Sequence, residues 1–512
     1  MTALPAALTE RLAHQLSGTG CDVTTIHPPT GEQLATLRQS TAEDVAQAFE
    51  RARHAQRDWA AMTARERAKP FLALHDLVIA NDELIDVIQA ETGKSRNSAF
   101  EETLDIAGVS LYYGRHAAKF LAPRKRAGAI LFATKVRELR QPKGVVGIIS
   151  PWNYPLSLGV GDAIPALLAG NAVVLKPDTQ TALTALYARE LLVQAGLPDE
   201  VWNIVVGEPG DIGEPLIENA DHVCFTGSTN VGRRIAEVAA KRLIGCTLEL
   251  GGKNPMLVLE DADLNKAVKG GVRACFSTTG QLCLSTERIY VAETAYDEFL
   301  AKFVASTDKL KLGSGPGFDY DIGTLTLSRV LERVTQHVTD ARTKGATVLT
   351  GGRARPDLGP YFYEPTVLAG VTPEMTVYHE ETFGPVVSLY KFRDDAEAVA
   401  LANDTEYGLN ASIWTGDVRR GHHLAEQIRC GTVNINEGYG STYASNDAPM
   451  GGMKASGQGR RHGEHGFLEY TELQTIGSQH VIGFDPPPGI STERNASVLH
   501  LAYKTMKRLR IK

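Results

Sequence analysis

From residue 41 to 118 apolar positions recur at intervals of three and four. Val45, Ala48 and Phe49 in one segment and Phe71, Leu74 and Val78 in another show the pattern, which predicts a run of amphipathic helices. Residues 123–141 are highly charged and read as an exposed pair of strands. At residue 145 the pattern changes. Short apolar runs at 145–150, 172–176, 202–206 and 221–226 read as buried strands, and they alternate with helical segments at 161–170, 181–192 and from about Asn230. Such alternation predicts a parallel, doubly wound α/β sheet. A second series starts near Asn254, with strands at 256–259, 287–291 and 386–390. The expectation is two α/β domains and a small β element.

The chain has 512 residues, too many for one core, and about three structural units is the length prior. A formal net charge of −7 argues against nucleic acid as partner, because phosphate binding needs a basic surface. The last ten residues are locally basic and read as a solvated terminal tail. The most apolar stretch, 144–175, is interrupted by Pro151, Pro155, Asp162 and Pro165, so no membrane span is expected there. The first residues lack a basic region followed by an apolar one, so no signal peptide is read. Six cysteines without C-x-x-C or zinc spacing suggest a reduced, cytoplasmic protein that holds no metal.

Candidate chemistry concentrates in a few short segments. Cys283 follows Gly280-Gln281, where backbone can come close to a ligand, and a thiolate there is a strong nucleophile. Cys21, Cys224, Cys246, Cys275 and Cys430 read as small hydrophobes. Glu249 ends an apolar strand before Gly251-Gly252. A partly apolar setting raises a carboxyl toward the range of a general base. Asn153 lies in the rigid turn Ser150-Pro-Trp-Asn-Tyr-Pro155, where its amide, with the Cys283 backbone N–H, can stabilise an oxyanion. Lys176 ends a strand at the edge where α/β sheets bind ligands. The segment from Phe225 to Gly232 is a glycine-containing strand-to-helix turn whose N–H groups can meet a pyrophosphate. Glu381 in Glu381-Thr-Phe-Gly-Pro385 can bridge ribose hydroxyls.

These segments occur in the order Pro151-Trp-Asn-Tyr-Pro155, Leu175-Lys-Pro177, Phe225-Thr-Gly-Ser228, Leu248-Glu-Leu-Gly-Gly-Lys253, Gly280-Gln-Leu-Cys283, Glu380-Glu-Thr-Phe-Gly-Pro385 and Pro449-Met-Gly-Gly-Met-Lys-Ala-Ser-Gly457. The sequence thereby resembles the NAD(P)-dependent aldehyde dehydrogenase superfamily from about residue 40 to 480. The resemblance implies a Rossmann-type cofactor domain of residues 1–122 and 142–251 and an α/β catalytic domain of 252–455. It further implies a β oligomerisation arm of 123–141 and 466–485, followed by a tail of 486–512, and a homodimer or homotetramer. It implies that Cys283 attacks the aldehyde, Asn153 stabilises the oxyanion and Glu249 activates water. Trp152, Lys176, Thr179, Gly207, Gly227, Ser228, Gly232, Leu250, Glu381 and Phe383 would line the cofactor.

Members that prefer NAD usually carry Glu three residues after the cofactor lysine. Here Thr179 removes that charge and offers a hydroxyl, so NADP is expected to be preferred over NAD, with Asp178 nearby as an opposing charge. Within the superfamily the chain is most similar to succinate-semialdehyde dehydrogenases of the actinobacterial type. The two arginines that usually grip the distal carboxylate fall at Gly161 and Ser277, however. A carboxylate substrate would need Arg273, Ser445 or backbone N–H groups instead, and aromatic or medium-chain aldehydes are the alternative. Met450, where many relatives place an aromatic residue, would loosen specificity. A CoA-acylating relative would lack the hydrolytic glutamate, and a catalytically dead one would lack Cys283 or Glu249.

Overall fold

The computed structural model describes residues 4–129, 134–480 and 485–510. The helices read in 41–118 are Ala42–Ala61, Ala64–Ile79, Asp82–Thr92 and Arg96–Phe120. The first two start with capping boxes, Thr41 with Asp44 and Thr63 with Glu66, which satisfy the otherwise orphaned N-terminal donors. A β-hairpin not anticipated from the sequence, Asp22–Ile26 with Gln33–Arg38, precedes them.

Two large sheets follow. The first has six strands in the order Gly457–Gln458, Gly245–Glu249, His222–Thr226, Val145–Ile149, Ala172–Lys176, Trp202–Ile204. All are parallel except Gly457–Gln458, which runs antiparallel to Gly245–Glu249 and sets Gly457 opposite Glu249. The chain builds outward from Val145–Ile149 to one side and then crosses to His222–Thr226 on the other. That reversal opens a crevice at the carboxyl ends of these two strands, where open α/β sheets bind ligands. The strands are buried on both faces, and one apolar core joins this sheet to the N-terminal helices.

The second sheet has seven strands, with Asn254–Val258, Thr286–Ala292 and Val386–Phe392 near its centre and Thr347–Thr350 as an antiparallel edge. The charged segment read as a strand pair forms Arg124–Arg126 and Thr134–Pro142; residues 130–133 lie outside the described residues. Thr471–Gln479 completes this three-stranded antiparallel sheet. It is shorter than the 466–485 expected, because Gly463–Leu468 is helical; residues 481–484 lie outside the described residues. The C-terminal segment departs from the expectation of a tail, since Thr492–Arg508 is a helix. The spacing of Val498, Ala502 and Met506 is helical, and a reading based on charge alone passed over it. Residues 511–512 are outside the described residues.

Candidate active site

The turns that follow the two crevice strands carry the first group of side chains. After Val145–Ile149 the chain makes the turn through Trp152 and Asn153 and enters the helix Pro155–Leu168, with Pro at its first position. This turn is pinned by a buried ion pair. Lys94 Nζ donates to Glu102 Oε1 (2.6 Å) and to the Asn153 carbonyl (2.7 Å), and Glu102 Oε2 accepts from the N–H groups of Leu156 and Ser157. The carboxylate thus caps the helix while the ammonium fixes the Asn153 backbone. Neither Lys94 nor Glu102 was singled out by the sequence, where nothing marks them.

The nucleophile loop comes from the second sheet. The helix Leu264–Phe276 ends at Ser277, and Thr278, Thr279 and Gly280 then adopt φ of 51°, 58° and 70°. Two consecutive β-branched residues in the left-handed region are strained. Neighbours hold them there: Thr278 Oγ1 bonds the Tyr154 hydroxyl (2.8 Å), and the Gln281 side chain ties together the Thr278 and Thr324 carbonyls and the Thr326 N–H. Cys283 follows, partly accessible, with its carbonyl accepting from Asn254 Nδ2 (2.7 Å). Asn153 Nδ2 donates to the Gln281 carbonyl (2.9 Å), two residues before the thiol. Among the described residues the Cys283 N–H donates to no protein acceptor, so it is available to an oxyanion. Burial pushes the Cys283 thiol up to about 12. Arg461 opposes this, while Glu381 and Glu249 add to it. The resting group is a thiol that needs a base.

Glu249 is only 3% exposed, and its Oε1 has no hydrogen-bond partner among the described residues. Burial raises its carboxyl to about 8; Arg461 pulls it down and Asp162 pushes it up. Next to it, Gly251 and Gly252 permit two close approaches. A Cβ on Gly251 would lie 2.6 Å from Glu381 Oε2, and one on Gly252 would lie 2.7 Å from the Cys283 carbonyl oxygen. Glu381 Oε1 accepts from the Gly252 N–H (2.8 Å), and burial, reinforced by Glu287, raises it to about 7. Glu287 itself pairs with Lys253 and accepts from the N–H groups of Thr382 and Phe383, fixing the loop that carries Glu381.

The residues expected to hold a dinucleotide lie around the same crevice. Lys176 is buried, yet among the described residues its Nζ reaches only the Pro177 carbonyl, at 3.4 Å. Burial lowers its pKa, so an incoming oxygen ligand would relieve an under-satisfied ammonium. Thr179 Oγ1 donates to the Gly207 carbonyl (3.4 Å). Asp178 accepts from the Gln180 N–H, and Arg329 Nη2 stands 3.9 Å from it, which offsets the carboxylate. Gly227 and Ser228 precede the helix Thr229–Arg242. Ser228 makes no capping bond, so the first N–H groups of that helix remain open to an anion. Gly232 lies one turn further in, against Leu250. Trp152 meets Phe383 edge to face at 5.6 Å across the two sheets.

A cavity opens onto Cys283 and Asn153, walled by Tyr154, Leu158, Leu282 and Met450 on its apolar side. Gly161 also lines it. Its polar side carries Asp105, Tyr443, Asp162 and Arg461. Glu249 is not part of this wall. Arg273 and Ser445 do not line the cavity either. Arg273 is half-exposed, paired with Glu101 (3.2 Å) and laid over the Tyr439 ring, so its charge is already engaged. The cation that does line it is Arg461, which the sequence reading missed. It grips Asp162 with two bonds, Nε to Oδ1 (3.0 Å) and Nη2 to Oδ2 (2.7 Å), and Nη2 also donates to Thr226 Oγ1. The partners lie 299 positions apart, so no local signal joins them. Because Asp162 raises the Glu249 carboxyl, Asp162→Asn is expected to move the rising alkaline limb of turnover to lower pH by about one unit. A pH–rate profile of the variant checks this. Arg461→Met should move the limb the other way and destabilise the fold by about 3–5 kcal/mol, because a buried carboxylate is left unpaired.

Comparison with known proteins fits this geometry. The profile described as the aldehyde dehydrogenase family matches residues 16–476. A protein of Mycolicibacterium smegmatis named "Putative succinate-semialdehyde dehydrogenase (NADP(+))" is 52% identical over 463 residues, covering 90% of each chain. A Mycobacterium tuberculosis protein of the same name, numbered 2, is 50% identical over 480 residues, covering 93% of each. The crystal structure of an Escherichia coli NADP-dependent enzyme superposes with a TM-score of 0.88 at 34% identity, covering 92% of this chain and 99% of its own.

Proposed function

Because the chain belongs to the aldehyde dehydrogenase family, we propose that it oxidises succinic semialdehyde to succinate with NADP+ as the acceptor. The observation that carries the chemistry is the convergence on one strained loop of a cysteine, its free backbone N–H and the Asn153 amide, with a carboxyl titrating near 8 close by. The substrate follows from the names of the relatives.

The Cys283 sulfur adds to the aldehyde carbon as the thiol passes its proton to solvent water, making a thiohemiacetal. The Cys283 N–H and Asn153 Nδ2 receive the developing oxyanion. Lys176, Thr179 and the N-terminus of Thr229–Arg242 would hold the dinucleotide, with Glu381 toward its reactive end. When bound, it supplies the hydride acceptor that turns the thiohemiacetal into a thioester. Glu249 then takes a proton from water as the oxygen attacks the thioester carbon. The acid departs and Cys283 regains its sulfhydryl. Residues 1–122 and 142–251 serve as the cofactor domain and 252–455 as the catalytic domain. The three-stranded sheet, whose Leu473 and Ile476 are exposed, is the arm through which copies associate as dimers or tetramers.

A second reading rests on the cavity itself. Its lining cation, Arg461, is already bound by Asp162, and Asp105 adds another carboxyl, raised to about 6 by burial. A substrate carboxylate finds no spare positive charge there, which favours apolar or aromatic aldehydes. Initial rates on succinic semialdehyde, hexanal and benzaldehyde, each with NADP and NAD, decide between the two. A highest kcat/KM for succinic semialdehyde with NADP upholds the first reading. A preference for hexanal or benzaldehyde establishes the second, and comparable turnover with NAD at low concentration overturns the cofactor assignment.

A further inference from the structure

The helix Thr492–Arg508 plays no part in the chemistry described above. It buries none of its residues, and no ion pair links it to the rest of the described chain. Its Ser491 cap and its side-chain hydrogen bonds are all local. Six of the nineteen large apolar side chains exposed on the described surface fall within 490–509: Ile490, Val498, Leu499, Leu501, Tyr503 and Leu509. An isolated helix facing water has no use for such a concentration.

The arrangement is ordered. At 3.6 residues per turn Val498, Leu499, Ala502, Tyr503, Met506 and Leu509 form one stripe. Lys504 and Arg508 lie opposite, with Arg494 and Lys507 at the borders, and Leu501 breaks the polar side. From Thr492 to the end of the sequence there are six Lys or Arg and one Glu, in a chain whose formal charge is −7. The positive charge is therefore local and opposite to that of the body. Pro486, Pro487 and Pro488 precede the helix. Prolines neither pair within a sheet nor continue a helix, and the Ile490 N–H donates to the Pro487 carbonyl (3.0 Å) in a turn just before the helix.

We propose that Thr492–Arg508 is a membrane-surface helix that docks the enzyme on an anionic lipid bilayer. The stripe of Val498, Leu499, Met506 and Leu509 would enter the boundary between headgroups and acyl chains. Tyr503 suits that depth, with an apolar ring and a polar hydroxyl. Lys504, Lys507 and Arg508 would face lipid phosphates. No helix among the described residues is long and apolar enough to cross a membrane, so the attachment is peripheral and reversible. A second copy of the chain is the rival occupant. Its overall negative charge attracts the basic side of the helix, but that attraction gives no role to the apolar stripe.

The test is co-sedimentation of the full-length protein with vesicles of phosphatidylcholine alone and of phosphatidylcholine mixed with phosphatidylglycerol, at low salt and at about 0.5 M. We expect at least about tenfold more bound protein on the anionic vesicles at low salt, and loss of most of that excess at high salt. Removal of residues 489–512 should abolish binding. Leu499→Glu with Met506→Glu should do the same, and Lys504→Glu with Arg508→Glu should remove the preference for anionic lipid. All three variants should keep full turnover on a soluble aldehyde and the oligomeric state of the parent by light scattering. No binding to anionic vesicles, or binding indifferent to lipid charge, overturns the proposal. So does a truncated protein that falls to a smaller oligomer, which assigns the helix to contact between copies.

Discussion

Cys283→Ala is expected to lower turnover on the order of 10⁴-fold or more while leaving NADP binding intact. The effect is large because, in the mechanism proposed, this side chain forms the covalent bond on which both later steps depend. The fold should tolerate the change. Cys283 Sγ makes no hydrogen bond to another side chain, and the loop is held through Gln281, Thr278 and the Cys283 carbonyl rather than through the sulfur. Cofactor titration by tryptophan fluorescence, run beside steady-state assays, separates lost chemistry from lost binding. Retention of more than about a tenth of the activity would place the nucleophile elsewhere. The other cysteines offer no ready substitute: Cys224, Cys275 and Cys430 are buried, burial drives their thiols and that of half-buried Cys246 upward, and Cys21 is on the outer surface.

Glu249→Gln should slow steady turnover by about 10²–10⁴-fold but spare the first half of the reaction. The amide has the shape of the acid and cannot accept a proton from water. The expected result is a burst of NADPH close to one equivalent per site, followed by a slow phase, with an acyl group on Cys283 visible by mass spectrometry. The sign of the pH dependence follows from the raised carboxyl. Burial keeps Glu249 protonated below about 8, and only the ionised form can serve as base. The parent enzyme should therefore speed up as pH rises through about 8 and level off above it, and Glu249→Gln should lose that limb. A variant that hydrolyses its thioester at the parental rate sinks the assignment.

The site was legible in the sequence where its chemistry is packed into short segments at element ends. Lys176 and Glu249 each end a strand, Ser228 stands at the N-cap of a helix, and Asn153 lies in the turn between a strand and a helix. The parts that were missed depend on contacts between distant positions. Lys94 reaches Asn153 across 59 positions, and Arg461 reaches Asp162 across 299. A charge pattern along the chain does not reveal such pairs. Arg273 was nominated as a partner for a substrate carboxylate in place of the arginines missing at Gly161 and Ser277. Its neutralisation by Glu101, 172 residues away, follows only from packing. The hairpin Asp22–Ile26 with Gln33–Arg38 was missed for another reason: its strands are short and half-exposed, and periodicity over five or six residues is weak. The C-terminal helix had a readable period, but its basic composition drew attention first.

The strand Gly457–Gln458 bears on how the enzyme comes into being. It closes the edge of the six-stranded sheet against Gly245–Glu249, opposite the base itself, and the Ser456 hydroxyl donates to the Gly251 carbonyl (2.7 Å). The residues that complete the six-stranded sheet are thus supplied only after the whole second sheet has been made. At about 5–20 residues per second, synthesis to residue 457 takes on the order of a minute. From the addition of residue 249 until that of residue 457, a nascent chain carries Glu249 on an open sheet edge, with its strand unpaired on one side. Catalytic competence therefore arrives late and all at once, and an unfinished chain on the ribosome has no working dehydrogenase domain to release.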